Sequence, residues 1–462
     1  MYKRQRIPAY AATLTDIDRD GNLDVWVGTA LGNAAPDPDR LFRGDGTASF
    51  SDVTQSAGVM TRPWIMIADE KNGLAHRNTW GVTACDLNGD GWPDLLSSVY
   101  GRYFSALWMG GPGGHYQDRS FQSGFACDDR KDWTTNLNAQ CYCKLVPTGD
   151  QCTGVPAPPA YFACDPATTK VTDLRWDHGG DREDMRLAGN HFSTVCGDVN
   201  NDGNMDLLVL TIVHWDVGSS SDPTELLINR GEAEPVFDRP GNDKMGLVRD
   251  FKRIDWNAGD MTGAFLDFDM DGRLDILIGS SDYPGTRAFL FHQKTDGTFE
   301  EVAITDGINH PRSHGVAVAD FDGDGDVDVA LGHGTARCSG DPSCYPTAEV
   351  HMFRNEIGQA SNRLQIRLVG GPGSNRSAIG ARVRVTAGGV TQTQEVGGGY
   401  GHFGIQHDLM LTFGLGASCD VDKVEVRWPD GALTTQTFTG VRANYRILVT
   451  QGVADPEYQP LP

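Results

Sequence analysis

The chain has no run of about 20 apolar residues that could cross a bilayer as a helix, and it lacks long heptad patterns or stretches rich in Ala, Leu, Glu and Lys. A transmembrane segment and a helical bundle both drop out. Positive charge is scarce as well. The 39 Lys and Arg residues stand against 62 Asp and Glu, a formal net charge of -23, and no basic patch suited to a phosphate backbone is present. Nucleic acid is therefore excluded as a partner. Catalytic signatures are missing too: there is no GxSxG, HExxH, Walker loop or CxxCH. Nor is there a secretory leader, since Met1 to Pro8 is polar and basic and no apolar segment precedes Asp16. The chain begins almost inside a repeat, which predicts an incomplete N-terminus.

What remains is a chain of 462 residues, long enough for two or more domains, with 57 glycines and evenly spread aromatics. That composition predicts an all-β protein with many turns. Ten cysteines are unevenly placed. Cys127, Cys141, Cys143, Cys152 and Cys164 crowd an irregular insertion at about 125–178, and Cys338 and Cys344 flank a short Gly/Pro loop. Disulfides in an oxidising compartment account for them better than zinc, because Cys141-Tyr-Cys143 is not a CxxC knuckle. Five cysteines in the insertion leave one over. Cys85 and Cys196 are the candidates to meet it, but strand alternation points these two to opposite faces. The pairing stays open.

The acidic excess is concentrated in five loops of one spacing. Positions 1, 3, 5, 7 and 9 are Asp16, Asp18, Asp20, Asn22 and Asp24 in loop 1, and Asp86, Asn88, Asp90, Trp92 and Asp94 in loop 2. Loop 3 has Asp198, Asn200, Asp202, Asn204 and Asp206; loop 4 has Asp267, Asp269, Asp271, Arg273 and Asp275; loop 5 has Asp320, Asp322, Asp324, Asp326 and Asp328. Position 6 is glycine throughout, as a sharp turn requires. Calcium takes six to eight hard oxygens, which side chains at 1, 3, 5 and 9 and the backbone carbonyl of position 7 can supply, whereas magnesium favours fewer carboxylates and retained waters. An EF-hand is ruled out: position 12 is Val27, Ser97, Val209, Ile278 or Leu331 rather than Glu, and each loop runs into a strand. Up to five structural calcium ions are expected.

Each loop is followed by a second echo, such as Leu41-Phe42-Arg43-Gly44, Leu107-Trp108-Met109, Leu226-Leu227-Ile228-Asn229-Arg230, Phe289-Leu290-Phe291 and Met352-Phe353-Arg354-Asn355. Strand, loop, strand, hairpin and strand make one four-stranded blade, and stacked blades make a β-propeller. These loops and strands, with Phe50-Ser-Asp-Val-Thr54, resemble the FG-GAP/VCBS repeats of integrin-type propellers, which implies calcium at the matched positions over residues 1–358. Five blades are recognisable, where propellers of that family often have seven.

Beyond Asn355 the pattern changes to strict alternation, as in Leu364-Gln-Ile366-Arg-Leu368 and Val424-Glu-Val426-Arg-Trp428, and predicts a small β-sandwich or barrel over 359–452 with a tail at 453–462. Gly371-Pro-Gly373, Ile379-Gly380-Ala381-Arg382-Val383, Phe413-Gly414-Leu415-Gly416 and Trp428-Pro429-Asp430-Gly431 closely resemble the ASPIC/UnbV domain. A propeller followed by that domain is the arrangement of the cartilage acidic protein-like family. The resemblance implies a secreted, cell-surface or periplasmic protein that binds rather than catalyses. The segment Gly397 to Gln406 departs from the family pattern.

Ligand sites of propellers lie at the channel mouth. Polar residues upstream of the loops are the candidates there: His76, Arg77, Trp80, Arg186, His191, Asp255, Asp260, His310, Arg312 and His314. The leading expectation is a calcium-stabilised binding or adhesion protein with an extracellular protein or glycan partner and no catalysis. A polysaccharide-cleaving His/Arg/Asp rim and a purely structural surface component are the alternatives.

Overall fold

A computed structural model of the chain describes residues 9–30, 37–63, 69, 72, 74–101, 103–128, 132–149, 151–174, 188–214, 221–249, 257–338, 340, 342 and 344–462. Among the described residues no helix is long and apolar enough to cross a membrane. Strands dominate, and the first three quarters form five successive antiparallel blades. Blade 1 is Ala9–Thr15, Asp24–Thr29, Arg40–Gly44 and Phe50–Asp52. Blade 2 is Thr79–Cys85, Asp94–Val99, Ala106–Gly111 and His115–Asp118. Blade 3 is His191–Gly197, Asp206–His214, Glu225–Asn229 and Phe237–Asp238, with Asn257–Gly259 paired to the far end of its second strand. Blade 4 is Thr262–Leu266, Asp275–Gly279, Phe289–Gln293 and Phe299–Glu301, and blade 5 is the three-stranded Ser313–Ala319, Asp328–His333 and Glu349–Phe353.

Second strands are covered on both faces by neighbouring blades, so they read as continuous apolar runs; every residue of Asp94–Val99 and Asp275–Gly279 is buried. One core layer lies between each pair: Trp26 and Leu41 meet Leu95 and Trp108, Leu96 and Leu107 meet Leu207 and Leu227, and Leu208 and Leu226 meet Ile276 and Phe291. Side chains from the third strands staple successive blades. Asn229 Nδ2 donates to Leu87 O at 2.8 Å, Gln293 Nε2 to Val199 O at 2.8 Å, and Asn355 Nδ2 to Phe268 O at 2.6 Å, each carbonyl belonging to position 2 of the preceding blade's loop.

Cys85 and Cys196 are disulfide-bonded to each other and join the innermost strands of blades 2 and 3. Pointing to opposite faces of their own sheets is what brings them together, because opposite faces of successive blades confront one another. The insertion holds Cys141–Cys164 and Cys143–Cys152, and Cys338–Cys344 closes the short Gly/Pro loop. The insertion also contains an unforeseen helix, Leu137–Leu145, whose N-cap Asn136 accepts the Ala139 N–H at 3.1 Å. Among the described residues its small core, Ala139, Tyr142, Leu174 and the cystines, is made of insertion residues. Replacing these four cysteines by Ser is therefore expected to melt the insertion while moving the global unfolding free energy by less than about 0.5 kcal/mol, read by urea denaturation against helical circular dichroism.

The C-terminal domain is a β-sandwich. One sheet runs Leu411–Gly416, Asn362–Val369, Tyr445–Thr450 and Glu457–Pro460; the other runs Val390–Glu395, Arg382–Ala387, Asp420–Arg427 and Thr435–Arg442. Trp428, Phe413, Ile447 and Val424 fill the space between them. The segment after 452 is an edge strand rather than a tail, with Ile447 opposite Tyr458.

Candidate metal loops and the plugged channel

The five Asp loops share one hydrogen-bond frame. The position-1 carboxylate accepts the Gly N–H of position 6 at 2.8–3.0 Å, the acceptors being Asp16, Asp86, Asp198, Asp267 and Asp320. Position 5 accepts the N–H of position 7. Position 9 is a double cap: one oxygen of Asp24, Asp94, Asp206, Asp275 or Asp328 takes the N–H of position 2. The other takes an N–H at the end of the third strand, from Gly44, Gly110, Asn229, Gln293 or Asn355. The carboxylate thus ties loop, second strand and third strand together.

The donor set fits a hard divalent cation. Oxygens of positions 1, 3 and 9 converge within 4.8 Å of one another in loops 1, 4 and 5. Asp18 Oδ1, Asp269 Oδ1 and both oxygens of Asp326 are buried without a hydrogen-bond partner. Burial, with the repulsion of neighbouring carboxylates, pushes Asp16 up to about 7, Asp24 to about 6 and Asp275 to about 9, although backbone N–H bonds pull the other way. Burial also raises Asp206 to about 7 and holds Asp267 well above the usual range. A divalent ion would remove the cause by favouring the charged form.

Comparing the copies exposes a charge rule absent from the sequence reading. Where position 3 is Asp, the third strand, or in blade 5 the residue just after it, carries a cationic or titratable side chain. Arg43 lies 2.6 Å from Asp18, His292 3.1 Å from Asp269, and Arg354 2.8 Å from Asp322. Where position 3 is Asn88 or Asn200, the matching residue is Met109 or Ile228. The signal was the residue before the third-strand cap, visible only once the register is known.

The loop face is not open. The C-terminal domain sits on all five loops: a Cβ on the position-6 glycine would meet Gly373 from Gly21, Leu433 from Gly91, Arg384 from Gly203, Gln392 from Gly272 and Arg363 from Gly325. From this domain the glycine-rich segment 397–408 enters the channel and touches the innermost strand of every blade. Leu14 N–H donates to Gly398 O at 2.9 Å, Gly401 and His402 pair with Val82 and Gly81, and His402 N–H donates to Ser193 Oγ at 2.9 Å. Tyr400 Oη donates to Gly263 O at 2.6 Å, and Val318 N–H donates to His407 Nδ1 at 3.2 Å. The tip reaches the far mouth, where His402 Nδ1 donates to Trp80 O at 3.0 Å and Phe403 is 63% exposed. Tyr10, Trp80, Tyr100 and Phe192 surround it, Trp80 lying 4.7–5.2 Å from the other three rings. Behind the plug a cavity of about 210 Å³ is lined by Thr83, Val195, Phe265, Val318, Thr393 and Met410 among others.

Trp80 apart, the described far-mouth residues named from sequence are packed within their own blade or against the neighbouring one. His76 Nδ1 meets Thr61 Oγ1 at 2.7 Å, and buried Arg77 lies 3.9 Å from Asp118. Asp260 accepts from Thr224 Oγ1 at 2.5 Å and pairs with Arg249. Arg312, buried and at φ 53°, donates to the carbonyls of Asp282 and Arg337. His310 bonds Ser313, and burial with His351 and His333 nearby lowers it to about 4; burial also lowers His314. His191 stands between Ser105 Oγ at 2.6 Å and Asp222 at 3.7 Å, the composition of a catalytic triad, but all three are at most 1% exposed and Ser105 Oγ accepts the Val99 N–H. It is a staple between blades 2 and 3. Arg186 and Asp255 lie outside the described residues.

Family comparison agrees with this anatomy. Residues 16–97 and 267–331 match the FG-GAP-like repeat, and residues 371–456 match ASPIC and UnbV. The chain is a β-propeller of FG-GAP-like repeats that carries an ASPIC/UnbV domain. It is homologous to cartilage acidic protein 1, with 28% identity to the Mus musculus protein over 337 residues and 24% to the Homo sapiens protein over 332. Each alignment covers 70% of this chain, and the chain spans 40% of the mouse relative's length and 39% of the human one's. Among solved structures, the V. cholerae biofilm matrix protein Bap1 aligns over 94% of this chain and 59% of its own at 11% identity and a TM-score of 0.34. A Bacillus licheniformis rhamnogalacturonan lyase aligns over 96% and 61% at 12% identity and a TM-score of 0.32.

Proposed function

We propose that this is an extracellular binding protein in which calcium is structural and a protein or glycan partner is met at the channel mouth opposite the C-terminal domain. The observation that carries the reading is the coverage of the loop face: the carboxylates lie under the sandwich, so ions held by positions 1, 3, 5 and 9 and the position-7 carbonyl would brace blades rather than bridge to a partner. Exposed Phe403 and Tyr10, beside half-buried Trp80 and Tyr100, give the opposite mouth an amphipathic aromatic surface of the kind enriched at recognition sites. Four disulfides suit an oxidising compartment, and the relatives are named for cartilage, an extracellular matrix. Internal use of His76, His191, Asp260, His310 and Arg312 speaks against a polysaccharide-cleaving rim.

Calorimetric titration of chelated, refolded protein with calcium is expected to count several ions and to raise the melting temperature by mass action, since the loops exist only in the folded state. Fewer than two ions would sink the calcium half of the reading. For the other half, glycan-array and cell-surface binding should be lost in Phe403→Ser at unchanged melting temperature. Binding indifferent to Phe403 and Tyr10 would move the partner surface elsewhere.

A further inference from the structure

We infer that loop 2 is held by arginine instead of a metal ion, so that it takes up no cation and serves as the latch of the C-terminal domain. The inference deepens the calcium reading, which it presupposes for the other loops. Five copies within one chain supply the controls. In loops 1, 3 and 4 the two oxygens of the position-1 carboxylate accept the N–H groups of positions 5 and 6, at 2.8–3.1 Å. Loop 2 departs from this. Arg427 Nη2 lies 2.5 Å from Asp86 Oδ2, beside the Gly91 N–H, while Arg427 Nη1 donates to Gly89 O at 2.8 Å. Arg382 Nη2 donates to Asp86 O and lies 3.7 Å from Asp86 Oδ2. Glu395 completes the cluster, accepting the Asp86 N–H at 3.3 Å and pairing with Arg382 at 3.2 Å.

The remaining ligands of loop 2 are engaged in the pattern that loop 3 shares through Asn200 and Asp202, so the arginines are what set loop 2 apart. The Asp90 N–H bonds Asn88 Oδ1 at 3.2 Å, and Asn88 Nδ2 turns to Ala233 O at 2.9 Å and to Asp90 Oδ2 at 3.0 Å. Asp90 Oδ1 takes the Trp92 N–H and Asp94 is the double cap, which leaves Asp86 Oδ1 as the one carboxylate oxygen without a partner. Counting Glu395, four carboxylates face two guanidinium groups here, but both guanidinium groups stand on the position-1 carboxylate of Asp86, where their charge repels a dication strongly. Loop 5 is the informative contrast. Arg446 also reaches its position-1 carboxylate, at 2.9 Å from Asp320, but that loop carries five aspartates and keeps Asp320, Asp322 and Asp328 convergent.

Terbium(III) luminescence reads this once loop 1 is emptied by Asp18→Ala with Asp20→Ala, because Trp92 at position 7 stands beside any ion in loop 2 while its ring also lies 3.5 Å from the Arg19 guanidinium of loop 1. Excited through tryptophan, this background and its Trp92→Phe variant should give the same terbium emission. Arg427→Gln should gain emission that Trp92→Phe then removes, and calorimetry should count one more ion than in the background. Arg427→Lys, which keeps the charge, should stay without the gain. Background emission that falls in Trp92→Phe would overturn the inference, as would Arg427→Gln, folded by its melting transition, without gain. Failure of terbium to enter any loop in any variant would overturn the calcium reading itself, a distinct pattern.

Discussion

Asp206→Ala is expected to destabilise the propeller by about 2–6 kcal/mol, because it strands two buried backbone donors at once, each worth roughly 1–3 kcal/mol when unsatisfied. Asp206 is fully buried, and its oxygens accept the Val199 N–H at 3.0 Å and the Asn229 N–H at 2.8 Å. Asn229 in turn staples blade 3 to Leu87 of loop 2, so the loss spreads to a neighbouring blade. Asp206→Asn, which keeps one acceptor oxygen, should fall about midway. Asp202→Ala is the control: it removes the exposed cap on the Asn204 N–H and should cost about 1 kcal/mol or less in chelator. Urea unfolding with and without chelator separates the contributions. The Asp206→Ala penalty persists in chelator, while the calcium-dependent gain in stability shrinks in both variants. A variant at position 9 that unfolds like the unmodified chain in chelator would refute the double-cap frame.

That contrast marks what was legible in the sequence. Five copies at one spacing announced the loops, their glycines and the strands that leave them, because ligand geometry and turn geometry act within nine residues. Position 9 looked like a metal ligand alone, since its second duty, capping the third strand, joins residues about 20 apart whose register only folding fixes. The latch left no local trace at all: Arg427 and Arg382 act on loop 2 across sequence separations of 341 and 296. Cys85 and Cys196 misled for a geometric reason, alternation having been judged within one sheet when the contact lies between two. The polar residues before each first strand drew attention as a ligand rim, but turns that are buried between blades need internal partners for their backbone groups, and Arg312 on the Asp282 and Arg337 carbonyls serves that need. The glycines at 397–401 did carry a signal, for their density exceeded what one turn demands.

Gly398→Ala is expected to unseat the plug, and acid is expected to weaken the same contact. A Cβ at Gly398 would come within 1.8 Å of Leu14 O and 2.7 Å of Leu14 C, and both are backbone atoms of blade 1 that cannot swing aside. The variant should therefore fold its blades and its sandwich yet expose residues 397–408 to proteolysis and hydrogen exchange. Gly397→Ala, with open space at its Cβ, should behave like the unmodified chain. The pH effect arises from two histidines on the plug. Burial lowers both His402 and His407 to about 4, and His407 is locked neutral: its Nδ1 accepts the Val318 N–H while Nε2–H donates to Tyr400 Oη. Protonation would set a second N–H against that of Val318. Undocked, both rings return toward about 6.5, so the undocked plug binds more protons and docking is stabilised fully above that value. The stabilisation should be lost progressively as pH falls from about 6.5 toward about 4. Exchange protection of Tyr400 to His407 that stays constant across this window would contradict the burial of the two rings. Protection that falls first in Gly398→Ala and later, with acid, in the unmodified chain would identify the plug as the mobile element joining the two domains.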